Sequence, residues 1–468
     1  MLEGLEVSVL RWSEVRFGNS VNRLDSEYFK KEFLREDNLI KNFKNDYLGN
    51  FAFITDGQHG YHEVDEKSEI RHLKAQNFKN WFAIDNNAER LAKWVDDKNK
   101  RSSLEVNDIV LTTRGTVGFC AIVKQEVLPA NIDQDVVRIA INPDSKILPQ
   151  YLLCYINSKF GQDWTKRNQT GMVQQGLSIW RIKEFPIPIL SMDFQTKIQV
   201  LIENSKNKIN LSQTTYAAAE NLLLEAIGLK NFAPDTGSVN IKSFKNSFLS
   251  TGRLDAEYYQ VKYEQIEKII TSGSFVNIKD IKCHNGRGLQ PEYVIDGILD
   301  VINSKHILDK SLDYDNFEKT SLRNWETQER ARVFKGDILT YTTGANIGRT
   351  QVYQSAKKAI ASNHVNILRV EKENPLYVGF VMNSIVGKMQ TEKFSMGSAQ
   401  AELYSKDIDD FIIPIISHDK QTQIAALVSE SFRLKTESEQ LLKTAKAAVE
   451  LAIEENETAA MEIINTRA

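Results

Sequence analysis

The chain has 468 residues, which corresponds to roughly two to four domains, and its 41% hydrophobic and 26% charged residues are typical of folded globular proteins. The net charge of −3 is evidence against a nucleic-acid-binding protein, because such proteins are often basic overall. A local basic groove could still bind nucleic acid. The three cysteines form no CxxC, no apolar run reaches about 18 residues, and the first residues lack a secretory pattern. We therefore predict a cytoplasmic protein with no disulfide framework, zinc site or membrane span.

Several phrases of the chain occur twice, in the same order and about 230 residues apart, which indicates two copies of one unit. A single echo of seven residues could be chance, but an ordered series could not. The pairs are RLDSEYF (23–29) with RLDAEYY (253–259), NDIVLTTRGTVG (107–118) with GDILTYTTGANIG (336–348), PQYLLCYINSKFG (149–161) with PLYVGFVMNSIVG (375–387), and EFPIPI (184–189) with DFIIPI (410–415).

The shared part of each copy contains short β-rich runs. NDIVLTTR and GDILTYTT are predicted strands that end at a glycine turn, and further strands are predicted at FCAIV and RTQVY and at DVVRIAI and VNILRV. The glycines lack the lysine and hydroxyl residue of a P-loop and the spacing of a dinucleotide fingerprint. A nucleotide site is therefore not predicted.

A helix is predicted after these strands, beginning with Pro149 in the first copy and Pro375 in the second, because proline suits the first turn of a helix. Each stretch is predicted as one helix that continues past its Asn-Ser pair. EFPIPI and DFIIPI are predicted to be extended, because proline blocks the continuation of a helix.

Each copy ends in a long amphipathic helix, predicted from about Gln195 to Ile227 and from about Lys420 toward Glu455. Gly228 is the predicted stop of the first helix. At about 1.5 Å per residue, each helix would be on the order of 50 Å long. Two such apolar stripes in one chain could bury each other as an antiparallel coiled coil, whereas the alternative is that each helix packs only on its own domain.

The pattern as a whole predicts an α+β fold, in which two similar globular α/β domains are separated by two long antiparallel helices. The predicted segments are a first domain at 1–194, a first spacer helix at 195–229, a linker at 230–240, a second domain at 241–419 and a second spacer helix at 420–468.

The stretches between the repeated phrases differ strongly. Residues 50–105 contain ITDGQHGYHE and HLKAQNFKNWFAID, whereas residues 275–335 contain IKCHNGRGLQPEY and LDVINSKHILDKS. A duplication that merely doubles a fold does not explain common phrases around unlike inserts. We therefore expect one scaffold that presents two different binding surfaces.

A search for catalytic motifs finds no HExxH, GxSxG, P-loop or NPPY-like tetrapeptide, and PDSK at 143–146 is not followed by the ExK of a nuclease site. His59 and His62 are three residues apart and could hold a metal, but the loop supplies no third ligand nearby. A surface or DNA-facing role is predicted for both histidines. No catalytic residue and no metal site are predicted.

In their order, the repeated motifs resemble the specificity subunit of type I restriction–modification enzymes. The resemblance rests on RLDxEYF, GDIL with two following glycines, an Asn-Ser pair in a helix, FPIPI, and a glutamine that opens a long helix, and it covers nearly the entire chain. TDGQHG at 55–60 and NGRGLQPEY at 285–293 stand where that family begins its DNA-reading region. The second phrase departs from the family's usual DGxH.

The resemblance implies two target recognition domains, each of which reads one half of a bipartite double-stranded DNA target. It implies that the long helices fix the gap between the halves and that the chain docks two methyltransferase subunits. Motor-nuclease subunits would join them in a restricting complex. No cofactor is expected in this chain, because S-adenosylmethionine would bind to the methyltransferase partner, and no membrane partner is expected.

DNA readout needs arginine, lysine, asparagine and glutamine side chains near base edges and phosphates, and the inserts supply these types. The predicted DNA-binding residues of the first copy are Gln58, His59, Arg71, Lys74, Gln76, Asn77, Arg114, Lys166, Arg167, Asn168 and Gln169. Those of the second copy are Asn285, Arg287, Gln290, Asn303, Lys305, Arg349, Lys393 and Gln400. The RLDxEYF phrase is predicted to be a structural anchor, in which Arg and Asp pair and the aromatic residues are buried.

Two alternatives remain open on the sequence alone. The chain could be the specificity subunit of a related type II-like restriction and methylation complex, or a two-headed scaffold that binds only proteins. A stand-alone nuclease or methyltransferase would need a catalytic motif that the sequence lacks.

Overall fold

The computed structural model describes residues 8–16, 19–20, 22–170, 176–235, 237, 239–396 and 401–467. The chain divides into two compact units: unit 1 contains Met1–Ile209 and Thr436–Ala468, and unit 2 contains Asn210–Lys435. Both boundaries fall inside a long helix, so each unit includes one helical segment from each copy of the repeat.

Both copies contain short helices and strands, and each ends in a long helix. The helices are α1 (Trp12–Arg16), α2 (Lys31–Lys41), α3 (Leu48–Phe51), α4 (Lys93–Lys98), α5 (Pro149–Asn157), α6 (Lys159–Asn168), α7 (Ile179–Lys183), α8 (Met192–Ala226), α9 (Phe248–Thr251), α10 (Val261–Thr271), α11 (Ile278–Ile281), α12 (Leu322–Thr327), α13 (Pro375–Asn383), α14 (Ile385–Phe394), α15 (Ser405–Asp409), α16 (His418–Glu454) and α17 (Glu457–Arg467).

The strands are short and are shared between three sheets in each unit. They are β1 (Asn45–Tyr47), β2 (Ala52–Asp56), β3 (Arg71–Leu73), β4 (Phe78–Lys79), β5 (Phe82–Ala83), β6 (Glu89–Arg90), β7 (Ile109–Thr112), β8 (Cys120–Ile122), β9 (Ala130–Ile132), β10 (Val136–Ile141), β11 (Pro186–Pro188), β12 (Phe275–Asn277), β13 (Lys282–Arg287), β14 (Leu299–Ile302), β15 (Glu318–Thr320), β16 (Arg332–Val333), β17 (Ile338–Tyr341), β18 (Thr350–Val352), β19 (Ala359–Ala361), β20 (Val365–Val370) and β21 (Ile412–Pro414).

In unit 1, the largest sheet has the strand order β2-β10-β7-β8-β5-β4, beside a three-stranded sheet β6-β3-β9 and a two-stranded ribbon β1-β11. Unit 2 repeats this plan with β13-β20-β17-β18, β15-β14-β19-β16 and β12-β21. The predicted α+β class and tandem repeat are therefore confirmed. The units differ at the sheet margins, where unit 1 adds the hairpin β4-β5 and unit 2 adds β16.

The core of unit 1 includes residues from the far end of the chain. Ile198 and Leu201 of α8 are buried in one cluster with Ala445, Val449 and Ala452 of α16. The start of α8 and the end of α16 run antiparallel, since Ser191 bonds to Glu457 whereas Ser205 meets Ser438, with the two hydroxyl oxygens 2.8 Å apart. Small residues at this crossing let the helix backbones come close, so two apolar stripes bury each other as predicted.

Unit 2 contains the equivalent helix pair. Tyr216 and Leu223 from the second half of α8 are buried with Ile424 and Val428 from the first half of α16. The hydroxyl oxygens of Ser212 and Ser431 are 3.1 Å apart, and each lies 2.8 Å from the other residue's carbonyl oxygen. The same crossing therefore occurs once in each unit.

Helix α8 stops at the predicted place for the predicted reason. Gly228 has a φ of +75°, a left-handed conformation that glycine adopts without steric cost. Its N–H donates to the carbonyl of Glu225, and the N–H of Leu229 donates to that of Leu224. This pair of bonds is a Schellman motif, which satisfies the last carbonyls of the helix.

The single helix predicted after each proline is wrong. Each stretch forms two helices, α5 and α6 in unit 1 and α13 and α14 in unit 2, separated at Ser158 and Ser384. Both serines have extended backbones, and their hydroxyls cap the second helix by accepting a hydrogen bond from its first turn. A serine cap competes with continuation of a helix, even where the apolar spacing runs straight through.

In both copies the RLD phrase forms the predicted Arg–Asp pair, but among its aromatic residues only Tyr28 is fully buried, since Tyr258 and Tyr259 are half-buried. Arg23 donates to Asp25 across 2.7 Å, and Arg253 donates to Asp255 across 2.8 Å. Tyr28 is 2% exposed and lies beneath the guanidinium groups of Arg23 and Arg167. Among the described residues, no helix is long and apolar enough to cross a membrane.

Candidate nucleic-acid interface

The topology of unit 1 brings three loops to one edge of its largest sheet. Strands β2 and β7 both pair antiparallel with β10, so their last residues lie where β10 begins. The loops after β2 (57–62) and after β7 (113–118) therefore meet the loop before β10 (133–135). We call these three loops, with the adjacent residues Asp56 and Arg101, the strand-end surface of unit 1.

Asp56 organises the charges on this surface. Its carboxylate lies 2.6 Å from Nε2 of His59 and 2.8 Å from the guanidinium of Arg101. Burial tends to raise the pKa of Asp56, but the hydrogen bonds from His59 and Arg101 outweigh it and lower that pKa. His59 and Arg101 remain 56% and 48% exposed, so both side chains can reach an outside partner.

Two further predicted residues belong to the same surface. Gln58 follows Gly57 and forms a bridge with Asp133, and its side-chain amide donates to the carbonyl of Tyr61 across 2.7 Å. Arg114, beside the glycine turn, is exposed and lies 3.2 Å from Asp135. Gln58, His59 and Arg114 are thus brought together at one sheet edge.

Unit 2 builds the equivalent surface from the loops after β13 and β17 and before β20, since β13 and β17 both pair antiparallel with β20. We call these loops, with Arg287 and the segment 402–406, the strand-end surface of unit 2. Arg287 donates to Glu402 across 2.6 Å and to the carbonyl of Leu403 across 2.8 Å. Hydrogen bonds from Arg287 and Tyr404 hold the pKa of Glu402 below its ordinary value.

A cleft of about 530 Å³ opens on this surface. Exposed cations stand at its rim, and the guanidinium of Arg287 and the ammonium of Lys406 lie 5.2 and 5.7 Å from the ring centre of Tyr404. The lining residues are His284, Asn285, Gly286, Arg287, Arg330, Tyr404, Ser405 and Lys406. Cations around an exposed aromatic ring suit phosphates and bases alike.

Asn285 lines this cleft but also serves the fold. Its amide nitrogen donates to the carbonyl of Ser405 across 2.7 Å and to Asp409 across 2.8 Å. Its amide oxygen accepts from Asn366 across 2.7 Å. Most of its hydrogen-bonding capacity is therefore used within unit 2.

The other predicted residues of the first insert lie apart from the strand-end loops, Arg71 in β3 and Lys74, Gln76 and Asn77 in the turn that follows it. Arg71 pairs with Asp85 across 2.7 Å, and Lys74 pairs with Glu89 across 2.8 Å. Gln76 is exposed. Asn77 is fully buried, and its side-chain amide accepts a hydrogen bond from the N–H of Lys74 and donates one to the carbonyl of Asn86. Its prediction as a DNA contact is corrected to a structural role.

The predicted group at the end of α6 is largely structural as well. Arg167 donates to Asp37 and to the carbonyl of Tyr28, both across 2.7 Å, and Asn168 is buried with its oxygen 2.7 Å from Nε of Arg181. Both side chains are therefore engaged in hydrogen bonds within unit 1. Lys166 is exposed and Gln169 is half-buried, so these two remain candidates.

The remaining residues of the second copy are scattered over unit 2. Asn303 donates to Glu318 across 2.7 Å, Lys305 pairs with the same carboxylate, and Gln290 is exposed. Arg349 is half-buried beside the glycine turn. Lys393 is half-buried, pairs with Glu267 and lies over the ring of Tyr258. Gln400 lies outside the described residues.

Several residues of the two surfaces were not predicted, namely Arg101, His284, Arg330, Tyr404 and Lys406. Arg101 closes the basic run KNKR, which is a readable signal. Tyr404 and Lys406 follow the second helix of the repeat by several residues, and only the folded chain brings them beside Arg287. A cluster of His62, His72 and Glu89 was also missed, since its members are far apart in sequence.

The chain belongs to the family of type I restriction modification DNA specificity domains. The family matches twice, over residues 62–221 and 273–447, which together make up most of the chain. Each match contains strands that build one of the two strand-end surfaces. The repeat found in the sequence is therefore a repeat of the family's own domain.

Among curated proteins, the chain is similar to the type I restriction enzyme EcoBI specificity subunit of Escherichia coli, at 29% identity over 119 residues. That match covers 25% of this chain and only 24% of the relative. Among solved structures, it is similar to the type I restriction-modification S subunit from M. genitalium, at 11% identity and a TM-score of 0.44, covering 90% of this chain and 96% of that chain. A second is the HsdS subunit from Thermoanaerobacter tengcongensis, at 13% identity and a TM-score of 0.28, covering 90% and 96%.

Proposed function

We propose that the chain is the noncatalytic, DNA-reading subunit of a type I restriction–modification system. The strand-end surface of each unit reads one half of a bipartite double-stranded target. The chain also positions two methyltransferase subunits, which carry S-adenosylmethionine, and motor-nuclease subunits join in a restricting complex. The long helices set the distance between the two halves of the target.

The observation that carries this proposal is that the family's specificity domain occurs twice with two chemically unlike edges on the same frame. Unit 1 offers a glutamine, a histidine and arginines around a carboxylate, whereas unit 2 offers a cleft with a tyrosine between cations. Arginine and glutamine read base edges, and lysine and arginine hold phosphates. Two unlike edges are what a target with two unlike halves requires.

The experiment is to co-express the chain with its methyltransferase subunits and to map modified bases across the host genome. We expect a motif of two short defined blocks around a fixed unspecified gap. Exchanging residues 50–105 for the insert of another family member should change one block and leave the other. A motif that is continuous, or that changes in both blocks, would contradict the assignment of one half to each unit.

Cation variants of unit 2 test the surface directly. In the assembled methyltransferase, Arg330→Ala and Lys406→Ala should each weaken binding to target and unrelated duplexes alike, about 3- to 10-fold, and should reduce the salt slope by about 1. Lys357→Ala is the matched control, because this exposed lysine lies beyond the opposite end of β18 from the glycine turn. Equal behaviour of all three variants in fluorescence anisotropy would remove the cleft from the interface.

The noncatalytic part of the proposal has its own test. The purified chain, supplied with Mg²⁺, ATP and S-adenosylmethionine, should neither cut nor methylate target DNA, whereas the assembled complex should methylate it. The protein-binding alternative predicts complex formation with no DNA affinity at any salt concentration. That result would replace DNA reading by a scaffold function.

A further inference from the structure

Strands β3 and β6 of unit 1, with the segment that carries His62, bring a group of metal-binding side chains together beside the sheet β6-β3-β9. Strands β3 and β6 pair antiparallel with His72 directly opposite Glu89. The segment that carries His62 continues this sheet on the other side of β6, because the N–H of Asp65 donates to the carbonyl of Arg90 across 2.9 Å. Backbone hydrogen bonds, rather than a flexible loop, therefore bring the three side chains together.

The ligand atoms of His62, His72 and Glu89 all lie within 4.8 Å of one another. Nε2 of His62 is 3.1 Å from Oε2 of Glu89, and Nδ1 of His72 is 3.7 Å from the same oxygen. Around a tetrahedral zinc ion, with bonds of about 2.0–2.1 Å, neighbouring ligand atoms are about 3.3 Å apart. The observed spacing needs only small side-chain rotations to match that geometry.

His72 is buried, but the surrounding protein does not satisfy the hydrogen-bonding capacity of its imidazole. Its side chain is 2% exposed, and neither of its ring nitrogens has a hydrogen-bond partner among the residues that the structure describes. Leaving a buried polar group unsatisfied is costly, and nearly all such groups in folded proteins find a partner. Nδ1 of His72 faces the carboxylate of Glu89, and an ion bound between the two groups would give this nitrogen a partner.

We propose that His62, His72 and Glu89 form a site for a divalent transition metal, with zinc as the ion that the donor set fits best. Two imidazoles and one carboxylate are an established zinc ligand set, and a water molecule would complete the tetrahedron. Glu89 is half-exposed, so an ion can reach the site from solvent. The ion would fix the start of the segment 62–65 against the sheet within the DNA-reading insert.

Lys74 provides the competing explanation. Its ammonium lies 2.8 Å from Oε2 of Glu89, the oxygen that both histidines approach. In that explanation the carboxylate serves only an ion pair, and the histidines merely pack with their ring centres 4.3 Å apart. A bound cation would repel the ammonium of Lys74, so the two explanations predict opposite effects of removing it.

Unit 2 supplies an internal comparison. The equivalent strands β14 and β15 pair antiparallel with Val301 opposite Glu318, so the carboxylate is retained while valine stands in the place of His72. Glu318 is bonded to Asn303 and Lys305 and lies 3.1 Å from Nε2 of the buried His306, so this carboxylate has one histidine beside it where Glu89 has two. The chain should therefore bind one metal ion, in unit 1, and not two.

The test uses the full chain co-purified with its methyltransferase partner, stripped with a chelator and titrated with Zn²⁺ against a chromophoric competitor. We expect one high-affinity equivalent per chain above the metal content of the methyltransferase prepared alone. His72→Val, which introduces the residue found in unit 2, should weaken zinc binding at least about 100-fold, because loss of an outer-shell partner alone costs 10- to 100-fold. His59→Ala is the control and should leave zinc binding unchanged.

Lys74→Ala separates the two explanations and should strengthen zinc binding, because it removes the ammonium that competes with the ion for Oε2 of Glu89. Weaker binding would favour the ion-pair explanation. Co²⁺ bound to the wild type should give the intense visible bands of a tetrahedral site, which His62→Ala should abolish. The proposal is overturned if no equivalent is retained, or if His72→Val and His59→Ala bind zinc equally. Circular dichroism shows whether a variant that loses zinc binding is still folded. If His72→Val or His62→Ala unfolds, Glu89→Gln is used in its place, and this variant should also weaken zinc binding.

Discussion

The strand-end surfaces of the two units share a frame but carry opposite charges at the same place. Strand β2 ends with Asp56 followed by Gly57, and β13 ends with Arg287 followed by Gly288. Asp56 attracts His59 and Arg101, whereas Arg287 attracts Glu402. The comparison shows that packing fixes the edge and leaves its charge open to change.

Inside the units, the same buried aspartate is paired with an arginine from a different position in each unit. Each unit buries an equivalent aspartate, Asp108 or Asp337, at the start of its central strand. Asp108 pairs with Arg138 of β10 across 2.6 Å, and Asp337 pairs with Arg369 of β20 across 2.7 Å. The two arginines are not equivalent in register, since Arg138 stands where β20 has Ile367. What the fold requires is a cation for a buried carboxylate, not a particular position.

The largest expected effect concerns these two pairs. Arg138→Met should lower the free energy of unfolding of unit 1 by about 3–5 kcal/mol, because it leaves the buried Asp108 carboxylate unpaired. Arg369→Met should cost unit 2 about 1–2 kcal/mol, because Arg369 is one-third exposed and water can partly replace it. Native-state hydrogen exchange of β10 and β20 measures each unit separately. Equal costs would show that burial of the arginine does not govern the difference.

The next effect should be the same in both units. A Cβ atom on Gly57 would lie 1.9 Å from the carbonyl oxygen of Ile132, and one on Gly288 would lie 2.0 Å from that of Ala361. Gly57→Ala and Gly288→Ala should each cost about 2–3 kcal/mol, because the backbone must shift. Gly273→Ala, whose Cβ would meet nothing closer than 3.8 Å, should change stability by less than about 1 kcal/mol. Urea unfolding of the three variants checks this, and a large cost for Gly273→Ala would show that loss of a loop glycine, rather than the steric clash, lowers stability.

Much of the scaffold that the two units share could be predicted from the sequence, because its motifs occur in both copies. The strands around Ile109 and Ile338 and the stop at Gly228 follow from local patterns that one glycine or one apolar run decides. The break at Ser158 could not be predicted, since the apolar spacing continues through it and only the cap decides.

The candidate surfaces were harder to predict, because a residue type does not reveal its exposure. Asn77 and Asn168 have side chains suited to base readout, yet each is buried in hydrogen bonds within unit 1. The partners of Arg287 come from a segment more than one hundred residues away, which no local pattern indicates. His62, His72 and Glu89 meet only through strand register, and a one-residue slip would separate them.

A smaller effect is expected at the anchor tyrosines. The hydroxyl of Tyr28 accepts a 2.7 Å hydrogen bond from Arg181 in the core, so Tyr28→Phe should lower the stability of unit 1 by about 1.5–2 kcal/mol. Tyr258 is half-buried, and its hydroxyl has no hydrogen-bond partner among the residues that the structure describes. Tyr258→Phe should therefore stay within about 0.5 kcal/mol in the same exchange measurement. A matching loss in both units would show that the hydrogen bond from Arg181 is not the reason why the Tyr28 hydroxyl stabilises unit 1.

The last expected effect is a pH dependence that only unit 1 should show. Burial, together with the negative charge of Asp163, raises the pKa of Glu36 to about 8 from an ordinary 4.5. The equivalent residues of unit 2 are Ile266 and Met389, which carry no charge. Because the folded state holds a proton that the unfolded chain releases, this carboxyl group stabilises unit 1 fully below about pH 4.5 and loses that contribution as the pH rises through about 8.

Glu36→Gln keeps a neutral side chain at every pH and should flatten this loss. The melting temperature of unit 1, followed by exchange or calorimetry, should match the wild type near pH 5 and exceed it by on the order of 5 °C near pH 8.5. Glu66→Gln, at an exposed position, is the control and should leave the pH profile unchanged. If the Glu36→Gln and wild-type profiles run parallel, the carboxyl pair is already ionised at neutral pH. In that case the apolar pair of unit 2 differs from it in packing and not in proton binding.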